Sequence, residues 1–164
     1  RGLGDVYKRQ AKQHLQKTMS EINQAHPDVC AVISVNKGLV TQASAAIPVV
    51  PLYFAILYKV MKKAGNHENC IQQIARLFTQ KLYTPTGFQT DENGFIRMDD
   101  YELTPEIQEE VKKCWKAVTT DTVKEYCDID GYWEDFYHMF GFRYEDIDYT
   151  QDVDADIEID GVVM

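Results

Sequence analysis

The feature that most constrains the fold is the apolar run Val29–Val35, which is rich in β-branched side chains and contains a single polar residue. A run of this length is typical of a strand that is buried on both faces within a parallel sheet. Ahead of it, Leu15, Met19 and Ile22 recur at helical spacing until Pro27, which disfavours helix at the preceding residue. A helix followed by a buried strand predicts an α/β architecture, with a ligand crevice after the strand.

The charge of the chain excludes two classes of partner. Its 164 residues suit one domain, and the formal net charge is -9 at pH 7. Nucleic acids and anionic membranes both require a surplus of Lys and Arg, so neither is expected as the main partner. The acids are concentrated in a tail, Glu145–Asp160, that holds no Lys or Arg. The four cysteines form no C-x-x-C pair, which favours reduced thiols in a cytoplasmic protein.

The first ten residues need separate treatment. They have no hydrophobic period, and Asp5–Gln10 resembles an in-frame translation of a library adapter. We therefore set residues 1–10 aside as a non-native scar. On this interpretation the natural chain begins well before Ala11, and the sequence holds the C-terminal part of a longer protein.

Three further helices are predicted after the strand. The uncharged stretch Ala45–Tyr58 is too short for a membrane span and contains two prolines, so we expect a buried or ligand-covering helix that Gly65 ends. Thr104 and Pro105 are typical of a helix start. The apolar faces expected to be buried in the second and third helices are Ile71, Ile74, Leu77 and Phe78, and then Ile107, Val111, Trp115 and Val118.

The rest of the C-terminal half predicts a hairpin and an aromatic helix. Asn93-Gly94 lies between Gly87–Gln89 and Phe95–Met98, a pattern typical of a β-hairpin near residues 87–98. Tyr132–Phe142 predicts a final aromatic helix.

Metal and nucleophile motifs are incomplete. A calcium-like loop around Gly94 would begin at Gln89 and end at Asp100 instead of Glu, and His67–Glu68 lacks the second His of a zinc-protease helix. There is no G-x-S-x-G motif for a serine nucleophile. We predict no metal site, and ordinary hydrolase chemistry is disfavoured.

The longest motif in the chain is Leu39–Tyr53, which reads LVTQASAAIPVVPLY. It resembles the V-T-Q-A-S-x-A-I-P-x-x-P-L-Y signature of the trans-2-enoyl-CoA reductase / V-type enoyl-acyl-carrier-protein reductase family. The resemblance extends from Ala11 to about Asp154. Further matches follow in the family's order: Lys59–Lys62, His67–Gln73, Arg97–Leu103, Gly131-Tyr132 and Phe140–Phe142.

The resemblance implies an NADH-dependent reductase on an enlarged Rossmann fold, similar to the short-chain dehydrogenases. Such an enzyme transfers hydride to the β-carbon of a trans-2-enoyl thioester of CoA or acyl-carrier protein in fatty acid metabolism. It also implies a division of the chain. Residues 11–64 would be the C-terminal part of the Rossmann core with a substrate-covering helix, and residues 65–164 a helical region with the hairpin and the acidic tail.

The resemblance also assigns site residues. Lys12 matches the lysine that closes the family's Tyr-x8-Lys motif, and it is the expected catalytic and cofactor-binding lysine; the alternative is an exposed helical lysine. Leu3 stands where the motif has its tyrosine, so we expect the chain alone to be inactive. Leu39, Val40 and Thr41 are expected at the nicotinamide. Candidates to line the acyl channel, with core packing as the alternative, are Ile47, Leu52, Tyr53 and Ile56.

Two further expectations concern cofactor and function class. The family's last segment has been described as a possible flavin-binding region, but no phosphate-binding Gly loop occurs after Gly87, so the sequence does not support FAD. The main reading is a monomeric, cytoplasmic NADH-dependent enzyme acting on enoyl-CoA or an enoyl-acyl-carrier protein. The alternative is a non-catalytic acidic binding module that uses the tail as its contact.

Overall fold

The computed structural model describes residues 3–152. Its first element is the helix α1 (Leu3–Ala25), which ends just before Pro27, so the predicted amphipathic helix is confirmed. The helix includes most of residues 1–10, and their assignment as a scar stays a prediction. The far end of the acidic tail, from residue 153, lies outside the described residues.

The end of α1 is fixed to the segment that leads into the sheet. The Asn23 side-chain amide donates to the Ala31 carbonyl at 2.9 Å and its oxygen accepts the Ala31 N–H at 2.7 Å. Leu15 and Ile22, on the apolar face of α1, are exposed. The helix is therefore held by hydrogen bonds at its end, while much of its apolar face is open to solvent.

Two short strands form one parallel sheet. β1 (Ile33–Val35) pairs with β2 (Phe95–Arg97), with Ser34 opposite Ile96. The parallel arrangement agrees with the α/β prediction. The expected burial over all of Val29–Val35 is wrong, because Val29 is exposed and the strand is only half-buried. β1 has one neighbour among the described residues, which leaves its second edge uncovered.

The hairpin predicted near residues 87–98 is also wrong. A turn with Gly94 at a φ of 78° is present, but no strand precedes it in this range. The Asp91 N–H donates to the Phe95 carbonyl at 2.8 Å, but the Phe95 N–H donates to the Asp91 carboxylate at 3.0 Å, so a side chain replaces the second backbone bond of the expected ladder pair. The strand that follows pairs with β1, because that pairing buries Ile96.

The core is built on the central helix. A single turn, α2 (Gln42–Ala45), leads to α3 (Val50–Ala64), whose middle residues are buried and whose end is capped by Gly65 at a φ of 74°. This confirms the buried helix predicted from the uncharged stretch. Its neighbour α5 (Pro105–Ala117) buries Ile107 and Val111 against it. Trp115, expected in the same stripe, is partly exposed.

The helix α4 (Cys70–Arg76) presents the opposite face to the one predicted, and it continues as a π-helical turn (Leu77–Leu82). Gln73 is 2% exposed and Arg76 is equally buried, whereas Ile71 is 67% exposed. Arg76 turns inward because its guanidinium donates to the Met98 carbonyl at 2.9 Å and pairs with two carboxylates. The other apolar side chains that are exposed here are Ile74 and Phe78.

The last two helices among the described residues are α6 (Val123–Tyr126) and α7 (Ile129–His138). The Asp128 carboxylate caps α7 through the Gly131 N–H at 3.0 Å, and α7 packs on α3. The predicted aromatic helix is therefore present, though it begins and ends earlier than expected. Within residues 3–152, no helix is long and apolar enough to cross a membrane.

Candidate functional site

The candidate site lies where the chain leaves the carboxyl end of β1. After Asn36–Gly38, the segment Leu39–Thr41 leads directly into α2. The Thr41 hydroxyl oxygen accepts the Ser44 N–H at 3.1 Å and the Ser44 hydroxyl oxygen accepts the Thr41 N–H at 2.8 Å, which forms a capping box. The T-x-x-S spacing therefore makes Thr41 the N-cap of α2, so the helix starts directly after the segment.

A cavity of about 300 Å³ opens beside this segment. Leu39 and Val40 line one side of it, and the Tyr58 ring, from α3, lines another. A crevice at the carboxyl end of a parallel strand is the usual ligand position in α/β folds. The remaining wall comes from α4, α7 and the segment after α7, with Cys70, Asp135 and Tyr144 among its residues.

The hydrogen-bonding state of Leu39–Thr41 decides what the segment can bind. The Val40 N–H donates to the Tyr58 hydroxyl oxygen at 3.1 Å, so this donor is already used. Among the residues that the structure describes, the carbonyls of Leu39 and Val40 accept no hydrogen bond. The segment therefore offers two backbone acceptors and the Thr41 hydroxyl proton, which fit the carboxamide and oxygen atoms of a nicotinamide nucleotide.

Four ionisable side chains with shifted pKa values lie in or next to the cavity: Tyr58 and Asp135 line it, and Lys37 and His67 contact the Tyr58 ring. Burial lowers the pKa of Lys37, which is 3% exposed, from 10.5 to about 8, although the carboxylates of Glu102 and Asp135 oppose the shift. Burial raises the pKa of Tyr58 well above its ordinary value, and nearby Asp135 raises it further. Burial also raises the pKa of Asp135 itself, against the opposing charge of Lys37.

His67 completes this group. Burial and, to a smaller extent, the positive charges of Lys37 and Lys62 together lower the pKa of His67 to about 4, so the imidazole is neutral at pH 7. Its ring packs edge-on against Tyr58 at 4.4 Å between centroids. The 3.7 Å approach of His67 Nε2 to Asp135 is therefore not an ion pair at neutral pH. We call Lys37, Tyr58, His67 and Asp135 the polar floor. It contacts the Val40 backbone through the Tyr58 hydroxyl.

The predicted site residues are distributed unevenly. Leu39 and Val40 line the cavity, whereas Thr41, the next residue, is exposed and does not line it, and Lys12 is exposed on α1. Ile47 and Leu52 are half-buried, and Ile56 is completely buried in the core. The last of the predicted residues is Tyr53, whose hydroxyl donates to Glu102 Oε1 at 2.7 Å.

Sequence reasoning missed the polar floor. Lys37 follows an apolar strand and His67 follows a helix-ending glycine, positions where polar residues are ordinarily exposed. Asp135 lies in an acidic, aromatic stretch with no motif. The one available signal was that Lys37 lies just before the Leu39–Tyr53 motif and that His67 opens a further matched segment, His67–Gln73.

Comparison with known proteins agrees with this geometry. Residues 5–83 match the family model described as the trans-2-enoyl-CoA reductase catalytic region, and residues 90–153 match the enoyl reductase FAD binding domain. The chain belongs to the trans-2-enoyl-CoA reductase family. The resemblance drawn from the sequence is thus confirmed.

Individual members of the reductase family are similar over nearly the whole chain. The enoyl-[acyl-carrier-protein] reductase [NADH] of Flavobacterium psychrophilum is 45% identical over 155 residues, which are 93% of this chain and 39% of the relative. The trans-2-enoyl-CoA reductase [NADH] of Ruminiclostridium cellulolyticum is 46% identical over 154 residues, with the same shares. The chain thus spans about 39% of the length of these curated relatives.

Two solved reductases share the fold. The Clostridium acetobutulicum trans-2-enoyl-CoA reductase in complex with NADH matches with a TM-score of 0.79 and 46% identity, over 88% of this chain and 37% of that one. The Treponema denticola trans-2-enoyl-CoA reductase in complex with NAD matches with a TM-score of 0.81 and 46% identity, over 88% and 36%. The helix-rich fold with its small parallel sheet is therefore part of a Rossmann-like reductase fold.

The flavin in the name of the second family model does not fit the residues present. A dinucleotide phosphate binds at a helix N-terminus that follows a strand and a Gly-rich turn. In this segment β2 is followed by Met98–Asp100, and the next helix, α5, carries Glu106 in its first turn. A carboxylate at that position repels a phosphate, so we assign no step to a flavin.

Proposed function

We propose that this chain supplies the nicotinamide-side loop and the substrate-covering helix of an NADH-dependent enoyl reductase. The reaction is reduction of the trans-2 double bond of enoyl-CoA or enoyl-acyl-carrier protein. The supporting observation is the cavity at the carboxyl end of β1, where Leu39 and Val40 lie against Tyr58 from α3 in a chain of this family. NADH, when bound, supplies hydride to the β-carbon of the thioester.

The chain's own residues bind and orient the reactants in this proposal. The carbonyls of Leu39 and Val40 accept hydrogen bonds from the nicotinamide carboxamide, and the Thr41 hydroxyl donates one to the nucleotide. Lys12 binds the cofactor ribose and favours ionisation of a neighbouring phenol through its positive charge. Ile47, Leu52 and Tyr53 contact the acyl chain from α3 and its lead-in, and Ile56 supports them from within the core.

We further propose that the 164-residue chain alone is inactive. Leu3 occupies the position where the Tyr-x8-Lys motif has its tyrosine, so the hydroxyl that stabilises the enolate oxygen is not supplied at that position. A cytoplasmic location, a monomeric state and the choice between the two acyl carriers stay predictions. The non-catalytic binding module stays the alternative function.

A hybrid protein tests the enzyme proposal. Residues 11–164 are fused behind the N-terminal part of the Flavobacterium psychrophilum relative, up to the residue that aligns with Gln10, so that the Tyr-x8-Lys spacing to Lys12 is kept. NADH consumption is then followed with a short trans-2-enoyl-CoA. We expect turnover by the hybrid and none by the 164-residue chain. A folded hybrid that does not oxidise NADH would favour the binding module, and turnover by the chain alone would overturn the proposal that it is inactive.

A matched pair of lysine variants assigns the role of Lys12. Lys12→Ala in the hybrid is expected to lower kcat by about 100-fold or more, the usual contribution of a group that assists proton transfer. Lys17 lies on the same helix and, among the described residues, pairs with Glu21 at 3.5 Å in an exposed i,i+4 contact, so Lys17→Ala should leave kcat unchanged. Equal rates for the two variants would remove Lys12 from the site.

A further inference from the structure

A buried acid joins the nicotinamide-side loop to the substrate-covering helix. Glu102 is 8% exposed and lies in the segment after β2. Its Oε2 accepts the Gly38 N–H at 2.6 Å, and its Oε1 accepts the Tyr53 O–H at 2.7 Å. The two oxygens of one carboxylate thus hold two elements of the candidate site at a fixed separation.

The Glu102 segment is itself anchored. The Glu102 carbonyl accepts the Gln108 side-chain amide at 2.9 Å, which links it to the first turns of α5. Burial, followed by the hydrogen bond to Glu102, raises the pKa of Tyr53 to about 12, so the phenol stays a hydrogen-bond donor at all ordinary pH values. The carboxylate therefore faces two permanent donors.

The hydrogen bond between Glu102 and Gly38 affects the Leu39–Thr41 segment because Gly38 is next to it in the chain. Gly38 immediately precedes Leu39–Thr41, and the Val40 N–H two residues on is held by the Tyr58 hydroxyl. Two side chains from other elements thus hold alternate N–H groups of one short segment. Because the N–H groups of Gly38 and Val40 are both held, the carbonyls of Leu39 and Val40 between and beside them keep a fixed direction.

The packing leaves little room for Gly38 to shift. A Cβ atom at Gly38 would lie 2.6 Å from Phe54 Cε1 and 3.5 Å from Glu102 Oε2. The Phe54 ring and the Glu102 carboxylate therefore both lie close to Gly38 and limit its movement. Removing the carboxylate leaves the Gly38 N–H as a partly buried donor without an acceptor, which favours movement toward water.

We propose that Glu102 is a positioning residue that holds the Leu39–Thr41 segment in the conformation that binds the nicotinamide nucleotide. It acts through Gly38 and does not touch the reactants. The inference rests on the proposed function. It predicts that Glu102 sets the affinity for NADH, while the chemical step depends on other groups.

The first test measures the segment itself, without any need for activity. Amide hydrogen exchange is followed by NMR at Gly38, Val40 and the buried Val111 of α5 in the 164-residue chain and in Glu102→Ala. We expect Gly38 to exchange about tenfold faster or more in the variant and Val40 to exchange faster as well, because the segment is released, with Val111 unchanged. Tyr53→Phe, which keeps the Gly38 bond, should exchange at Gly38 as the parent does. Equal Gly38 rates in all three, an unchanged Val40 rate in Glu102→Ala, or equally faster exchange at Val111 would overturn the proposal.

The second test measures cofactor affinity in the hybrid protein. Glu102→Ala should raise KM for NADH about tenfold, equivalent to about 1.4 kcal/mol, and change kcat by less than about threefold. Glu102→Gln should restore KM, because its amide oxygen can accept from Gly38 and its NH2 can donate to the Tyr53 oxygen. The control is the exposed Glu109→Ala on α5. A loss confined to kcat, or no rescue by Gln, would overturn the proposal.

The two tests separate this inference from the proposed function. An inactive hybrid with faster Gly38 exchange in Glu102→Ala would refute the enzyme and keep the local role of Glu102 in holding the segment. An active hybrid whose KM for NADH is unchanged by Glu102→Ala would support the enzyme proposal and refute the positioning role.

Discussion

Replacing Arg76 by Met is expected to destabilise the chain more than any surface substitution. The guanidinium is 5% exposed, and its Nε lies 2.7 Å from Glu68 and its Nη1 3.0 Å from Asp100. Its Nη2 donates to the Met98 carbonyl at 2.9 Å, and the group lies 4.1 Å from the centre of the Tyr101 ring. Arg76 therefore ties α4 to the segment between β2 and Glu102.

The magnitude follows from what the substitution leaves behind. Removing one partner of a buried ion pair costs about 3–5 kcal/mol, because the other charge stays buried and unpaired. Asp100 keeps a second cation, Lys81, at 2.7 Å, whereas Arg76 is the cation that pairs with Glu68 among the described residues. We therefore expect about 3 kcal/mol, the lower end of that range. Arg76→Lys should recover only part of it, since an ammonium cannot reproduce the planar fork.

The effect of Arg76→Met should depend on pH. Burial alone would raise the pKa of Asp100, but the hydrogen bond from Lys81 and the charge of Arg76 leave it below its ordinary value. A lowered carboxyl pKa stabilises the fold above the unfolded-state pKa, and this stabilisation is lost as the pH falls through the folded-state pKa. The variant loses part of it, so its stability should approach that of the parent chain below about pH 4.

Urea unfolding followed by tryptophan fluorescence measures this difference. The control is Lys113→Met, because Lys113 pairs with Glu110 at 3.2 Å in an exposed contact and should change stability by no more than about 1 kcal/mol. Equal m-values are required for the comparison. If Arg76→Met unfolds cooperatively within about 0.5 kcal/mol of the parent chain, the reasoning from buried charge is refuted.

Three other sets of substitutions test the site and the core by the same assay. Between pH 8 and 10.5 the unfolded chain binds the Lys37 proton and the folded chain releases it, so stability should rise with pH there and Lys37→Met should lack the rise. Gly38→Ala should cost about 1–3 kcal/mol through its clash with Phe54, and Phe54→Leu should restore part of the loss; strictly additive costs would contradict the clash. Ile71→Ser on exposed α4 should change stability by less than about 0.5 kcal/mol, whereas Ile107→Ser should cost at least about 2 kcal/mol; similar values would contradict the observed faces.

Local signals in the sequence were sufficient where neighbouring residues decide the structure. The start of α5 at Pro105 follows from a fixed φ and an N–H that a first helical turn does not need. The end of α3 at Gly65 follows from the left-handed conformation that glycine adopts without strain. Leu39 and Val40 line a cavity after β1 and Asn36–Gly38, where the end of a parallel strand predicts a crevice, and the role of Leu39–Thr41 at a nicotinamide stays a prediction.

The failures all involve partners that are distant in sequence. Phe95–Arg97 has the pattern of a hairpin strand, but it pairs with a strand some sixty residues earlier, and no local pattern specifies that choice. On α4, the apolar residues predicted the buried face, yet the burial of Arg76 is set by Glu68 and Asp100. The exposed Ile74 forgoes the transfer free energy of full burial, which is about 1.5–3 kcal/mol.

These distant contacts also give the C-terminal segment a structural role that does not require a flavin. The two matched family segments meet in one sheet, since β1 comes from the first and β2 from the second. The same boundary is crossed by Arg76 to Asp100 and by Glu102 to Gly38. The described residues after position 90 therefore support the Leu39–Thr41 segment from behind. On the proposed function, a substitution there would change cofactor affinity without any contact with the cofactor, so a loss of activity in this segment would not by itself indicate a second binding site.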